Sequence, residues 1–519
     1  MKIALIQPPV EDFYYTPQRS YPLGLTYLAA AIQDMPVDVE IIDLISGHGR
    51  QTLPIPQNFD PIRAFIPYDR SPISAFHSYY HFGMPWNKIE NLFNSIKFDL
   101  YAISSNFYTY SRDVIQTATI IKASNPDALI LVGGQNVGPE HSLFTDCPVI
   151  DHCLQGEGDL AFHDFVEALF NKKDLSTIPG FYNPLTNTWN EPEQVCEFNT
   201  KPVADLLPCE TYMIARKPSI MIATSRGCPM ECRFCSVSRT FGKKLRLKPS
   251  HVVIEEIHHA YSRGIRAIDI EDDNFTFVRS HCTKLLTKII REFNGKIELY
   301  AMNGLSAEHI DEEIVDLLYG AGMRLLNLSI ATTSKEQLQA INRKTHIDKF
   351  QHISRLAASI GMKVMGHFIA GLPGQSSEDI METMKVLSEL PLVLGISPFY
   401  YIPGMNMDIP NPPKNCMDAR LSRFWPADTM LDELDLITLF RLSRWINYLK
   451  NEMLKQKIKW IHFNDIQAIF KLDPYLSSLI NERSILGCDS NNKFFSHQSS
   501  ERILDSFFAI FKDSDVYCA

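Results

Sequence analysis

No run of apolar residues in this chain approaches the ~18 that a membrane-crossing helix needs, so no helical span is expected. Basic charge is in short supply, with 50 Lys and Arg against 60 Asp and Glu, a net of -10. That balance argues against broad, non-specific binding of nucleic acid. The opening residues Met1 to Pro9 lack the layout of a secretory leader and read as a strand and a turn. A cytoplasmic location, where thiols stay reduced, is the expectation. There is no internal repeat, heptad array or low-complexity segment, which excludes solenoids and coiled coils. Cysteine is sparse too, and eight of the 11 (Cys147, Cys153, Cys196, Cys209, Cys282, Cys416, Cys488, Cys518) have no motif spacing.

What remains is a 519-residue chain, 45% hydrophobic and 21% charged. It is long enough for two or three domains of ~150 residues. From Lys2 to about Asn171, strand-length apolar runs near Ile3–Ile6, Val39–Ile42, Leu100–Ser104, Leu129–Val132 and Val149–Asp151 alternate with amphipathic stretches. This alternation predicts a Rossmann-like doubly wound parallel sheet over residues 1–173. The interval from Ser46 to Pro85 lacks periodicity and reads as an insertion or lid. Proline and glycine break residues 174–219 into a connector. Six further strands, near Ile220–Thr224, Ala267–Ile270, Ile297–Ala301, Leu325–Ile330, Lys363–Ile369 and Leu394–Ser397, alternate with helical stretches and predict a partial (β/α)6 TIM-type barrel over 220–425. Residues 426–519 read as a small helical appendage, with Asp428-Thr429 capping an amphipathic helix over Met430 to Leu454.

Right after the first barrel strand come Cys228, Cys232 and Cys235, spaced Cys-x3-Cys-x2-Cys. A zinc knot would close with a second Cys or His pair, and none follows. A 4Fe-4S cube normally takes four thiolates, one per iron. Three on one short loop leave an iron free for a ligand that is not protein. This spacing, with the aromatic Phe234 before the third cysteine, resembles the radical S-adenosylmethionine (SAM) superfamily. The resemblance implies that the free iron chelates the amino and carboxylate groups of SAM. It further implies that the strand-end run Glu271-Asp272-Asp273-Asn274 accepts the ammonium protons of SAM and that the turn Gly371-Leu372-Pro373-Gly374 lies against its adenine. Asp and Asn chosen only for a local turn are the plain alternative. The fourth strand departs from the family pattern, carrying hydroxyls (Ser329, Thr332, Thr333) where an acid and a glycine are usual. Ser329 is the candidate there for ribose or carboxylate.

In the first region, Ser104-Ser105, Gly133-Gly134-Gln135 and Gly156-Glu157-Gly158 each stand at a strand end, where the crevice of a doubly wound sheet opens. In order and spacing these runs resemble the cobalamin-binding (B12) domain fused to radical SAM cores. The resemblance implies probable bound cobalamin against those residues; a degenerate scaffold is the plain alternative. No Asp-x-His-x-x-Gly run supplies a cobalt ligand, so the lower face of cobalt is unassigned. The stretch Arg226 to Lys248 holds seven basic residues and one acid, Glu231. It is either a docking surface for an acidic flavodoxin- or ferredoxin-type electron donor or a solvated rim.

The reading is a radical SAM enzyme, a cobalamin-dependent methyltransferase acting on an unactivated carbon of a small molecule or peptide. A cobalamin-assisted rearrangement or ring closure, and a non-catalytic cobalamin or SAM sensor, are the alternatives. Three added cluster cysteines, the mark of tRNA methylthiolating enzymes, are missing. Anaerobically prepared protein is therefore expected to carry iron and sulfide in equal amounts; zinc in that loop, or a cube with a fourth protein ligand, would overturn the assignment.

Overall fold

The computed structural model describes residues 1–16 and 19–518. Strands Lys2–Gln7, Asp38–Asp43, Leu100–Ser104, Leu129–Gly133 and His152–Leu154 form one parallel sheet. Numbered along the chain, they stand in the order 2-1-3-4-5. Ile3, Ala4, Leu5 and Ile6 are all buried, as a parallel strand covered on both faces requires. The fifth strand starts three residues later than Val149. Asp151 lies just before it, and its carboxylate is already taken by the Ile130 amide at 2.7 Å and by Lys122 at 2.8 Å.

Residues 46–85 are not a lid. Arg50–Leu53 and Tyr79–Phe82 join Val10–Asp12 in an antiparallel sheet, and Phe59, Ile62, Ile66, Ile73 and Tyr79 are buried. Their short helices and turns have no single period, which hides a packed segment from a periodicity reading.

The barrel strands are Lys217–Ile222, Ala267–Ile270, Glu298–Tyr300, Leu325–Ala331, Lys363–Ala370 and Val393–Pro398. Neighbours pair in parallel, and isolated bridges Leu299 to Met323 and Leu305 to Leu328 link the two halves of the row. A partial barrel leaves an open edge, which native folds must cover. Asn447, on the helix Glu433–Lys455, does this with one side chain: its Oδ1 accepts from Leu394 N and its Nδ2 donates to Leu394 O, both at 2.8 Å.

The C-terminal region is accordingly no loose appendage. One apolar core runs from Ile3 to Cys518 and includes Leu436, Leu439 and Leu442 of that helix. The helix is capped by Asp432, with a reciprocal bond from Asp435, and not by Asp428. Two short antiparallel pairs, Trp460–His462 with Asp515–Tyr517 and Leu486–Cys488 with Phe494–Ser496, interrupt the helices. Among the described residues no helix is long and apolar enough to cross a membrane.

Lys450 of the same helix is 5% exposed, and its ammonium donates to the carbonyls of Leu387, Leu390 and Leu392. Those carbonyls end the helix Ser377–Ser388 and the turn after it, where a cation is favourable. Burial still pulls the Lys450 pKa down to about 7. The unfolded chain then binds more protons than the native one between pH 7 and 10.5, so this group's contribution to stability rises with pH across that window. Lys450→Met is expected to lose about 1–3 kcal/mol at pH 9.5 by orphaning the carbonyls. The deficit relative to wild type should shrink at pH 7, measured by denaturant unfolding.

Candidate active site

The cysteine loop leaves the first barrel strand through Thr224 and Ser225, both buried. Asp272, at the end of the second strand, accepts from Thr224 N at 2.6 Å, Thr224 Oγ1 at 2.5 Å, Ser225 N at 3.1 Å and Ser225 Oγ at 2.7 Å. These four bonds fill the acceptor sites of a carboxylate. Asp272 therefore fastens the loop, with its acceptor sites taken up by these four donors. Its neighbours also turn toward the loop. Asp273 Oδ2 accepts from Gly227 N at 3.1 Å, and Asn274 Nδ2 points at Cys228 Sγ at 3.8 Å. Burial raises the Asp273 pKa to about 6.

On its far side the loop is tied to the turn that ends the helix Lys335–Ala340, after the fourth strand. Arg233 N donates to Ile341 O at 3.0 Å, Asn342 Nδ2 donates to Glu231 O at 3.0 Å, and Phe234 packs with Ala331, Leu372 and Phe399. Arg343 was not singled out from the sequence. Its guanidinium lies 4.0 Å from Cys232 Sγ and donates to Ser329 O at 2.9 Å and Ser329 Oγ at 3.3 Å, while its buried Nε has no partner. An arginine three barrel strands and 111 residues beyond the cysteine it meets leaves no local signal.

All three cysteines are free thiols of intermediate exposure. Burial raises the pKa of Cys228 and lifts that of Cys235 to about 11. Among the described residues no three His, Cys, Asp or Glu converge on one point. A cube fits this arrangement, because each thiolate takes a different iron and the sulfurs need not meet at a single centre. The N–H groups of Asn274 and Arg343 next to two sulfurs suit a thiolate-bound cluster, whose potential such donors tune.

The turn after the fifth strand is closed internally. Gly371 N and Leu372 N donate to Gln375 Oε1 at 2.9 and 3.1 Å, and Gly374 N donates to Asp428 Oδ2 at 2.5 Å. Gly371 at φ 90° and Gly374 at φ 72° need their glycines for the backbone itself; Pro373 lies between them.

In the first sheet several expected ligand residues are likewise committed to packing. Glu157 is paired with Arg246 and accepts from Val195 N at 3.2 Å. A Cβ at Gly134 would meet Ser105 O at 2.5 Å, at Gly156 it would meet Pro192 at 2.6 Å, and at Gly158 it would meet Leu28 at 2.6 Å. Ser105 Oγ accepts from Asn136 Nδ2 at 2.9 Å. Ser104 and Gly133 are half-buried at the strand ends, and Gln135 is exposed. A cavity of about 210 Å³ opens there, with Asn106, Gln135 and His141 on the sheet side and Ser236, Arg239 and Tyr400 on the barrel side. Ser236 directly follows Cys235, so the crevice of the first sheet reaches the cluster loop.

Three of the seven basic residues, Arg226, Arg246 and Lys248, are buried. Arg226 bonds Asp159 at 2.6 Å and lies over the rings of Tyr27 and Phe198, 4.5 and 4.4 Å from their centroids. Arg246 pairs with Glu157, and Lys248 with Glu256 at 2.7 Å. Arg239 meets Glu140 at 3.2 Å, and Lys243 meets Glu231. Of the seven, only Arg233 and Lys244 are without an ion pair among the described residues, too few for a broad basic docking face.

Residues 222–387 match the Radical SAM superfamily. An uncharacterized methyltransferase of Pyrococcus horikoshii is 28% identical over 404 residues, 76% of this chain and 79% of that protein. The cytidylyl-2-hydroxyethylphosphonate methyltransferase of Streptomyces wedmorensis is 23% identical over 423 residues, 73% of this chain and 75% of its own length. The radical S-adenosylmethionine methyltransferase TsrM of Kitasatospora setae, solved with cobalamin and a 4Fe-4S cluster, shares the fold. It has a TM-score of 0.57 at 16% identity, over 79% of this chain and 74% of that one.

If Asp272 is the fastener, Asp272→Ala leaves buried donors unpaired, at a cost of about 2–4 kcal/mol. The variant is expected to retain less than half the iron of wild type after anaerobic reconstitution, with Asp272→Asn between the two.

Proposed function

Because residues 222–387 form a radical SAM domain, we propose that this is a radical SAM enzyme with a 4Fe-4S cluster on Cys228, Cys232 and Cys235. We infer further that it holds cobalamin in the crevice of the first sheet and methylates an unactivated carbon. The observation that carries this reading is the shared crevice. Gln135 on one wall and Ser236 on the other bring whatever binds at the sheet edge up to the cysteine loop. The methyltransferase names of the relatives and the cobalamin in TsrM support it.

When bound, these groups supply cleavage of SAM to methionine and a 5′-deoxyadenosyl radical, and carriage of a methyl group on cobalt. The chain supplies placement. Arg343, with Nε unpaired and Cys232 Sγ at 4.0 Å, would hold the SAM carboxylate, with the Ser329 hydroxyl next to it. Asp273, mostly ionised at neutral pH, would accept from the SAM ammonium while it also holds Gly227 N. The crevice is smaller than the ~300–1,000 Å³ of a typical cofactor site. Admitting a corrin therefore means parting the Arg239–Glu140 pair, whose members line opposite walls. Reduction calls for a flavodoxin- or ferredoxin-type donor, and the 11 free cysteines suit a reducing compartment such as the cytoplasm.

Reconstituted protein given SAM and dithionite is expected to release 5′-deoxyadenosine, and Cys232→Ala to release none. With methyl-deuterated SAM and an extract of small metabolites, one product should gain the label. Nucleoside without label would favour rearrangement or ring closure; no nucleoside at all would favour a sensor.

A further inference from the structure

The wall of the barrel facing its lumen carries charged and polar groups that neither the cluster loop nor the SAM contacts use. In the second strand, Ile268 and Ile270 point into the apolar core, so strand alternation turns Asp269 and Glu271 the other way, into the lumen. Asp269 pairs in register with Tyr300 of the third strand. Asn327 and Ser329 stand on the fourth strand, and His367 of the fifth is paired with Gly395 of the sixth. His367 Nε2 lies 3.3 Å from Asn327 Oδ1. A Cβ at Gly395 would come within 2.6 Å of His367 Nδ1, so the sixth strand leaves room for the imidazole to lie across it.

Asp269 is 0% exposed. Its Oδ1 accepts from Met302 N at 3.0 Å, but its Oδ2 has no donor. The nearby carboxylate of Glu271 supplies none unless the two share a proton. A buried carboxylate oxygen without a donor costs free energy that native structures avoid unless a ligand or a proton settles it. Glu271 is itself bound by Arg19, at 2.8 Å, and Arg19 also reaches Asn303. Arg19 comes from the first region, ahead of the helix Leu23–Ala31, so both halves of the chain build this wall. When both are ionised, two acids against one arginine leave a single negative charge in excess, and the remaining partners, Asn327 and a neutral His367, add none; with no further cation beside them, burial and Glu271 raise the Asp269 pKa to about 7. Burial and Arg19 keep that histidine's pKa low.

The geometry points to a head-group subsite in which Asp269 and Glu271 receive a cationic nitrogen of the substrate, a primary ammonium or guanidinium, with His367 and Asn327 on the facing strands. This deepens the proposed function, since it rests on the lumen being the reaction chamber. It assigns the substrate to the amines. A charge-assisted bond to Asp269 Oδ2 would settle the open acceptor, and such bonds are about twice as strong as neutral ones.

The test is equilibrium binding without turnover. Reconstituted full-length protein, without reductant, is titrated with n-butylamine, n-butanol and n-butyrate, followed by saturation-transfer NMR and by melting temperature. The amine is expected to bind about tenfold tighter than either analogue. Asp269→Asn, which keeps the bond from Met302 N, and Glu271→Gln should each weaken the amine at least about fivefold. Iron content and unliganded melting temperature report whether each variant is folded; the three-probe comparison on wild type stands even if neither is. Equal binding of the three probes, preference for butyrate, or an amine affinity unchanged in both variants would overturn the subsite. Amine binding by a protein that never yields 5′-deoxyadenosine would instead remove the radical reading and leave the subsite in place.

Discussion

A single carboxylate, that of Asp272, holds the end of the first barrel strand to the end of the second, and the cysteine loop begins where it grips. Short loops of this kind have no core of their own, so their shape must come from what they are bonded to. Four donors from Thr224 and Ser225 converge on one fully buried acid. Burial raises the pKa of that acid against the pull of those donors, which marks it as costly to keep ionised and fixed in one position. The loop can then direct three thiols toward a common space because its take-off point does not move.

The other side of the loop is held by the first sheet. Arg226 is one residue from Gly227 and two from Cys228, yet its guanidinium lies between Tyr27 and Phe198 and ends on Asp159. Arg246 and Lys248 repeat the arrangement with Glu157 and Glu256. Buried pairs such as these are weak evidence for stability, since desolvation offsets most of the attraction. Their consequence is register: Arg226 and Arg246 find their acids, Asp159 and Glu157, only on the first region, and Lys248, paired within the barrel, reaches Tyr27 Oη at 2.6 Å, so sliding the sheet against the barrel would strand a buried charge. Arg420 does the same for the C-terminal region, donating to Thr109 O at 3.2 Å and to Glu11 O beneath the first sheet. Cofactor crevice, cluster loop and barrel are thereby set at a fixed separation.

The strands, their order in the chain and the three cysteines were legible because they depend on local pattern: apolar runs, punctuation by glycine and proline, and a spacing of ligands. The partners of the strand-end residues were not. Asp272, Glu157, Gly134 and Gly374 occupy positions where ligand-binding residues are expected, and the fold uses each to close one of its own loops. The distinction rests on contacts across 29 to 89 residues, from Gly134 with Ser105 to Glu157 with Arg246, and no local window along the sequence contains both members. The run of seven basic residues misled in the same way. Most of its acids, Glu140, Asp159, Glu157 and Glu256, lie outside the run, so a surplus counted locally is largely offset once the chain is folded. Residues 46–85 carry no single period because their elements are short and mixed, and the helix of 426–519 shows only an amphipathic pattern, yet both segments contribute to the core.

Strand ends and strand faces end up with different work. The ends are crowded with internal bonds because several loops must be fixed there at once, and this leaves few free groups to discriminate among substrates. The lumen-facing positions carry fewer such bonds. Ile268 and Ile270 secure the second strand from its outer face, while Asp269 holds Met302 N with one oxygen and leaves the other open, and Glu271 meets Arg19. Closing the open edge with Asn447 has the same effect on the sixth strand: a helix side chain meets the backbone needs of Leu394, and Gly395 beside it is free to make room for His367. A barrel left incomplete and then sealed by a helix side chain meets the backbone needs of its open edge without using a lumen-facing position for it.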